Sequence, residues 1–438
     1  MIDRARNLLG TVHAGDASPR RVGKLVAYDG LMLEASGFDR PIGSGARVIA
    51  ADGHAARAEV VGFRGNRSLL MALDGEAAHK SGSRVEPDSG GGVAAVGPGL
   101  LGRVVDGLGN PLDGLGPIAS VDKWPLSGRQ GNPLDRARVT RPFDIGVRAV
   151  NALLTAGVGQ RIAIIAGSGV GKSVLMGQMI AGAEADVIVV GLIGERSREV
   201  SDFLATKLPP EVRRKSVVVA VPADHAPLLR LRAAMRATAI AEDFRARGLK
   251  VLLLVDSLTR VAHAQREIGL SLGEPPTVKG YPPSALGLIP RLVERAGADT
   301  RSGGSITALY TVLADGDDTS DPIVDAARAI VDGHIVLSRS IAEQGVYPAI
   351  DVGRSLSRVM ADIVSPEHSA AASALRRLWS AFEENRDLIL MGAYAPGSDP
   401  LIDEAIVRRP ELLDFMRQAP AERIGLDESV AALIGMMS

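Results

Sequence analysis

The chain has 438 residues, too many for one ordinary hydrophobic core, so two or three domains are expected. Hydrophobic residues at 46% and charged residues at 23% are globular values. A net charge of −1 with only 3% aromatic residues argues against nucleic acid as the main partner, and the lack of cysteine excludes disulfides and thiolate metal sites.

Residues Met1 to Arg21 lack the apolar core of a signal peptide, and no apolar run reaches the roughly 18 residues of a membrane span. The expectation is a cytoplasmic chain whose membrane contact is peripheral. Ile2, Ala5, Leu8, Leu9 and Val12 recur at helical spacing, which predicts a short amphipathic helix or a frayed terminus within a segment 1–21.

From 22 to 92 the texture is that of a small β-barrel domain. Short β-rich runs (Lys24–Tyr28, Leu31–Ala35, Ala46–Ala50, Glu59–Phe63 and Ser68–Leu73) alternate with turn signals such as Asp29-Gly30, Asp52-Gly53 and Asp74-Gly75. Ser89-Gly90-Gly91-Gly92 reads as a linker.

Residues 93–365 alternate apolar strands with helical segments, which predicts an α/β nucleotide-binding fold with a parallel, RecA-like sheet. The strands expected are Arg161–Ala166, Val187–Gly194, Ser216–Val221, Val251–Asp256, Ser305–Val312 and His334–Ser338. Residues 366–438 form a C-terminal helical domain, with helices over Ala370–Glu384, Leu401–Arg408 and Glu411–Arg417, the last two parted by Pro410.

The strongest chemical signal is Ala166-Gly167-Ser168-Gly169-Val170-Gly171-Lys172-Ser173. It follows an apolar strand and opens a helical run at Val174, the context in which a P-loop is credible. Its glycines let backbone N–H groups turn around phosphate oxygens at a helix N-terminus that favours an anion. Lys172 would reach the β and γ phosphates, and the Ser173 hydroxyl would hold Mg²⁺. Alanine replaces glycine at the first position, which relaxed forms of the motif accept.

Val251-Leu252-Leu253-Leu254-Val255-Asp256 is a buried strand ending in a carboxylate. Asp256 either caps the next helix or, beside a P-loop, binds Mg²⁺ through its water shell. Glu195 follows another strand directly. By spacing alone it is either a base that orients and deprotonates water, or one member of a solvated charge run. Arg196, Arg260 and Arg358 are candidates for charge on the transferring phosphoryl group; Arg358 is also readable as an ordinary surface arginine.

Together with Gly194-Glu195-Arg196-Ser197-Arg198-Glu199-Val200, Asp256-Ser257-Leu258-Thr259-Arg260 and Gly273-Glu274-Pro275-Pro276, further blocks fall in order along the chain. They include Lys279-Gly280-Tyr281-Pro282-Pro283-Ser284, Glu294-Arg295-Ala296-Gly297, Gly304-Ser305-Ile306-Thr307-Ala308, Asp332-Gly333-His334-Ile335-Val336-Leu337-Ser338-Arg339, Tyr347-Pro348-Ala349-Ile350-Asp351 and Ser357-Arg358-Val359-Met360. From about residue 22 the chain resembles the catalytic subunits of rotary ATPases, most closely the flagellar type III protein-export ATPases.

The resemblance implies nucleotide contacts from Gly167, Ser168, Gly169, Val170, Gly171, Lys172, Ser173 and Val174, with Glu195 as catalytic base. It places Arg196 and Arg260 around the γ-phosphate, Arg358 as an arginine finger supplied in trans, and Tyr347 stacked on adenine, where a core tyrosine is the other reading. It further implies Mg-ATP hydrolysis by a homohexamer at the inner-membrane export apparatus. The partners implied are a stator or regulator, a central stalk, chaperone–cargo complexes and a membrane export gate.

Two departures stand out. The segment before the barrel is short, and the acidic loop of proton-coupled synthase subunits has only Glu383-Glu384 as its nearest approach. The readings left beside flagellar export are a virulence injectisome ATPase, a catalytic ATP synthase subunit, a non-hydrolysing scaffold and a nucleic-acid motor.

Overall fold

A computed structural model describes residues 22–50, 53–73, 80–88, 90–119, 122–314 and 321–438. The helix expected near the N-terminus lies outside them, as do the turn signals at Asp52 and Asp74-Gly75. The chain divides into two compact units, residues 1–92 and 93–438.

The first unit is a closed barrel of six strands: β1 (Gly23–Tyr28), β2 (Met32–Ser36), β3 (Gly45–Ile49), β4 (Ala55–Arg64), β5 (Arg67–Ala72) and β6 (Arg84–Asp88), in the order β1-β2-β5-β4-β3-β6. Alternate side chains fill its interior, among them Leu25, Leu33, Val48, Val60, Leu70 and Val85. The sequence reading missed β6, whose five residues include two acidic groups, an arginine and Pro87 and whose one fully buried side chain is Val85. Pairing with β1 and β3 makes it a strand despite that composition. Residues 90–92, expected to be part of a linker, form a turn.

In the second unit β7 (Val93–Val96) and β9 (Asp122–Pro125) form a small ribbon, separated in sequence by β8 (Val104–Val105). The main sheet adds β10 (Arg161–Ala166), β11 (Val187–Ile193), β12 (Ser216–Val221), β13 (Lys250–Asp256), β14 (Gly297–Ala298), β15 (Ser305–Leu313), β16 (Gly333–Leu337) and β17 (Ile350–Ser357). Its order is β17-β16-β10-β15-β13-β11-β12-β8, with β14 paired to β15. All six predicted strands are present, and they pair in parallel with one another.

Such strands are buried on both faces, and so they read as near-continuous runs of Val, Ile and Leu. Two members depart from a purely parallel sheet: β17 runs antiparallel on β16 and β14 antiparallel on β15. At β17 the run Ile350-Asp351-Val352-Gly353-Arg354-Ser355-Leu356-Ser357 is half exposed, so it lacks the signature that made its neighbours legible.

Register aligns the functional ends. Ala166 pairs with Leu313, Val255 with Tyr310, and Leu192 with Asp256. The loops leaving β10, β15, β13 and β11 therefore emerge side by side at the carboxyl edge of the sheet, where ligands of open α/β sheets sit.

The C-terminal helices join the same core: Leu375, Trp379, Leu412 and Phe415 belong to one buried cluster with Ile162, Met176 and Val190. The break expected at Pro410 does not occur, because one helix spans Pro400–Met416. An interior proline costs roughly 3 kcal/mol. Packing outweighs that cost here: Arg409 lies over Trp379 and Phe382 at 4.2 and 4.3 Å and meets Glu383 Oε1 at 2.5 Å, while Leu412, Phe415 and Met416 are buried.

Candidate active site

The P-loop leaves β10 at Ala166 and opens the helix Lys172–Gly182. Gly171, at φ +91°, is the helix N-cap and supplies no side-chain hydrogen bond, so the first helical N–H groups are left for a ligand. A side chain at Gly171 would also come within 3.3 Å of the Tyr347 ring. That brings Tyr347, 43% exposed and so not a core tyrosine, against the P-loop from nearly two hundred residues away.

A cleft of about 550 Å³ lies here, lined by P-loop residues together with Glu195, Arg196, Asp256 and Arg260. Gly167, Ser168, Gly169, Gly171, Lys172, Ser173 and Val174 all face it. Val170 does not; its side chain is buried in the core, which leaves only its backbone to meet a ligand.

Lys172 Nζ lies 2.5 Å from Asp256 Oδ1 and 3.7 Å from Glu195 Oε1. The helix after Asp256 is capped by Ser257, whose hydroxyl accepts from the Arg260 backbone N–H at 3.3 Å. Asp256 is thus not the helix cap, and its carboxylate faces the P-loop lysine.

The charge run at the end of β11 splits in two. The Glu195 side chain is only 14% exposed, whereas that of Arg196 is 80% exposed and pairs loosely with Glu199 at 3.8 Å. Gly194 makes the split: at φ +71° it turns the chain, and its missing side chain leaves room for the Arg260 stem, whose Cβ would lie 2.8 Å from an added carbon. Glu195 Oε1 and Arg260 Nε are both buried without a hydrogen-bond partner. Such atoms await one.

Burial raises the Glu195 carboxyl to about 7, helped by the negative charge of Asp256 and opposed by Lys172. A group poised there can take and release a proton near neutral pH.

Arg358 is elsewhere. Its backbone N–H donates to Asp332 O at 2.9 Å and its Nη2 to Arg328 O at 3.3 Å. Asp332 in turn pairs with Arg161, the first residue of β10, so Arg358 sits at the opposite end of that strand from the P-loop. Six residues of strand separate the two ends by roughly 17 Å.

The donor set suits magnesium. Ser173 and Asp256 offer hard oxygens, and among the described residues no group of three or more His, Cys, Asp or Glu could hold a metal by itself. Mg²⁺ is commonly bound by one or two protein oxygens with phosphates and water completing the shell.

Sequence reasoning missed Thr311, whose hydroxyl donates to Asp256 Oδ1 at 2.5 Å, and Thr259, whose Oγ1 accepts from the Leu313 N–H at 2.9 Å. Thr311 is an ordinary threonine by local pattern, and only the pairing of β13 with β15 brings it to Asp256; Thr259 stands in the block that follows Asp256, and the same pairing supplies its partner Leu313.

Comparison with known proteins agrees with this geometry. Residues 146–357 match the ATP synthase alpha/beta family, nucleotide-binding domain, and residues 364–435 match the type III secretion EscN ATPase C-terminal domain. The flagellum-specific ATP synthase of Salmonella typhimurium is 52% identical over 94% of this chain and 93% of its own length. The chain belongs to the flagellar and type III secretion branch of the ATP synthase alpha/beta family. It is an ATP hydrolase.

Other members of the branch are similarly near. The type 3 secretion system ATPase of Xanthomonas euvesicatoria is 47% identical over 95% of this chain and 93% of its own. The assembled ATPase EscN of enteropathogenic E. coli superposes with a TM-score of 0.89 at 40% identity, covering 95% of this chain and all of that one. The same ATPase in complex with its central stalk EscO gives 0.85. Among the described residues no helix is long and apolar enough to cross a membrane.

Proposed function

We propose that the chain is the ATPase of a flagellar protein-export apparatus and hydrolyses Mg-ATP at the boundaries of a homohexameric ring. The observation that carries hydrolysis is the buried Glu195 carboxylate, whose Oε1 has no hydrogen-bond partner and lies 3.7 Å from Lys172 Nζ. In this reading the backbone of residues 167–174 cradles the phosphates, and Lys172 neutralises the β and γ oxygens. Glu195 orients the attacking water and accepts its proton, and Arg260 and Arg196 stabilise charge on the phosphoryl group. Tyr347 stacks on adenine.

Ser173 and, through water, Asp256 would hold Mg²⁺, which when bound supplies positive charge to the phosphate oxygens. Arg358 is the finger that each subunit lends to its neighbour. Its place far from its own P-loop supports that role, as does the head-to-tail interface a ring requires.

The identity to a flagellum-specific relative supports flagellar export over an injectisome, and the type III C-terminal match at 364–435 favours export over ATP synthesis. A central stalk partner is proposed by analogy with the EscN–EscO complex. A regulator, chaperone–cargo complexes, a membrane export gate and a cytoplasmic, peripherally membrane-associated location complete the proposal.

Deleting the gene is expected to abolish flagella while leaving growth intact. A deletion strain with normal flagella overturns the flagellar assignment, and purified protein without Mg-dependent phosphate release overturns hydrolysis.

A further inference from the structure

Thr311 lies in the middle of the sheet on β15, fully buried, with its hydroxyl 2.5 Å from Asp256 Oδ1 and 3.5 Å from Val255 O. A hydroxyl has one hydrogen to donate, and the shorter, charge-assisted bond to the carboxylate takes it. Asp256 Oδ1 thereby receives two donors at the same distance, Thr311 Oγ1 and Lys172 Nζ.

These donors differ in what else they can reach. Thr311 sits on a central strand between β10 and β13, and among the described residues the only other acceptor for its hydroxyl is the more distant Val255 carbonyl. Lys172 opens the P-loop helix and faces the cleft, where phosphate oxygens compete for the same ammonium. A phosphate that draws Lys172 away leaves Thr311 as the donor fixing Oδ1.

We propose that Thr311 is a positioning residue for magnesium: it pins one oxygen of Asp256 so that the other stays turned to the water shell of the ion when Lys172 is engaged with phosphate. The proposal rests on the reading of the cleft as a Mg-nucleotide site. Hydrogen-bond partners of metal-binding carboxylates act in this way, by fixing their orientation.

The test is binding of ADP to the full chain, which needs no turnover, titrated with and without Mg²⁺. Thr311→Val replaces the hydroxyl with a methyl group and keeps a strand-compatible shape. It is expected to bind Mg-free ADP as the parent does, while the Mg²⁺ concentration for half-maximal enhancement rises roughly 10- to 100-fold. Thr311→Ser, which keeps the hydroxyl, is expected to retain the parent response. Thr311→Ala gives the same reading as valine if the valine chain does not fold.

A Thr311→Val or Thr311→Ala chain with the parent's Mg²⁺ response overturns the proposal, as does loss of the response in Thr311→Ser. A parent whose ADP affinity ignores Mg²⁺ overturns the reading of the cleft and the proposal with it.

Discussion

Lys172 Nζ and Asp256 Oδ1 are 2.5 Å apart, both largely shielded from water, so the ammonium that phosphates need is shared with a protein carboxylate. Removing one partner of such a pair strands the other. Lys172→Ala is therefore expected to lose nucleotide binding and lower the melting temperature. Adding Asp256→Asn recovers much of the temperature loss but none of the binding. The coupling between the two changes should be about 1–3 kcal/mol. Calorimetry on the parent, both single variants and the double variant measures it, and strictly additive effects would mean the pair contributes nothing.

Glu195→Gln keeps the shape but replaces a carboxylate oxygen with an N–H donor, and so removes the proposed base. Nucleotide affinity is expected to stay near the parent value while kcat falls roughly 100- to 10,000-fold. Equilibrium nucleotide binding and steady-state phosphate release separate the two. A glutamine variant with parental kcat removes Glu195 from the chemistry.

The raised carboxyl of Glu195 gives two pH dependences of opposite sense. As the proposed base it must be ionised, so kcat/KM is expected to fall as pH drops through about 7. Folding runs the other way. The folded group titrates near 7 against an ordinary value of 4.5, so between those values the native chain binds more protons than the unfolded one. Stability then declines as pH rises across that window. Glu195→Gln relieves this and should melt higher than the parent at pH 8 but not at pH 4.5. Thermal scans at both values, with a pH–rate profile of the parent, check the sign.

Arg358 offers a test of assembly. Arg358→Ala alone is expected to bind nucleotide and lose roughly 1,000-fold or more in kcat. On the proposed trans role, mixing it with Glu195→Gln subunits should restore part of the activity, with a cleft whose Glu195 is intact borrowing Arg358 from its neighbour. Mixtures no more active than their components would place the arginine's action within its own subunit or outside catalysis.

Gly194→Ala introduces a side chain at φ +71°, 2.8 Å from Arg260 Cβ. The left-handed conformation alone costs about 1–2 kcal/mol. The Arg260 stem must also shift. Expected are a lower melting temperature and a drop in kcat larger than any loss of ADP affinity, measured by calorimetry and kinetics. Unchanged kcat would show that the position of Arg260 is immaterial.

What the chain declared on its own was the local chemistry. The P-loop was legible because strand, glycine turn and helix start are adjacent in sequence, and Asp256 because it terminates an unbroken apolar strand. The six parallel strands announced themselves through burial on both faces. Tertiary structure decided what depends on distant residues meeting. The order β10-β15-β13-β11 inserts β15 between the P-loop strand and Asp256, and so delivers Thr311 to a carboxylate 55 residues away in sequence. Tertiary packing also left Glu195 buried and Arg196 exposed on the cleft wall, kept the helix running through Pro410, and put Arg358 at the end of β10 opposite the P-loop. Local pattern records which atoms a residue carries and which face it shows; partners brought by sheet register or helix packing leave no mark on the intervening sequence.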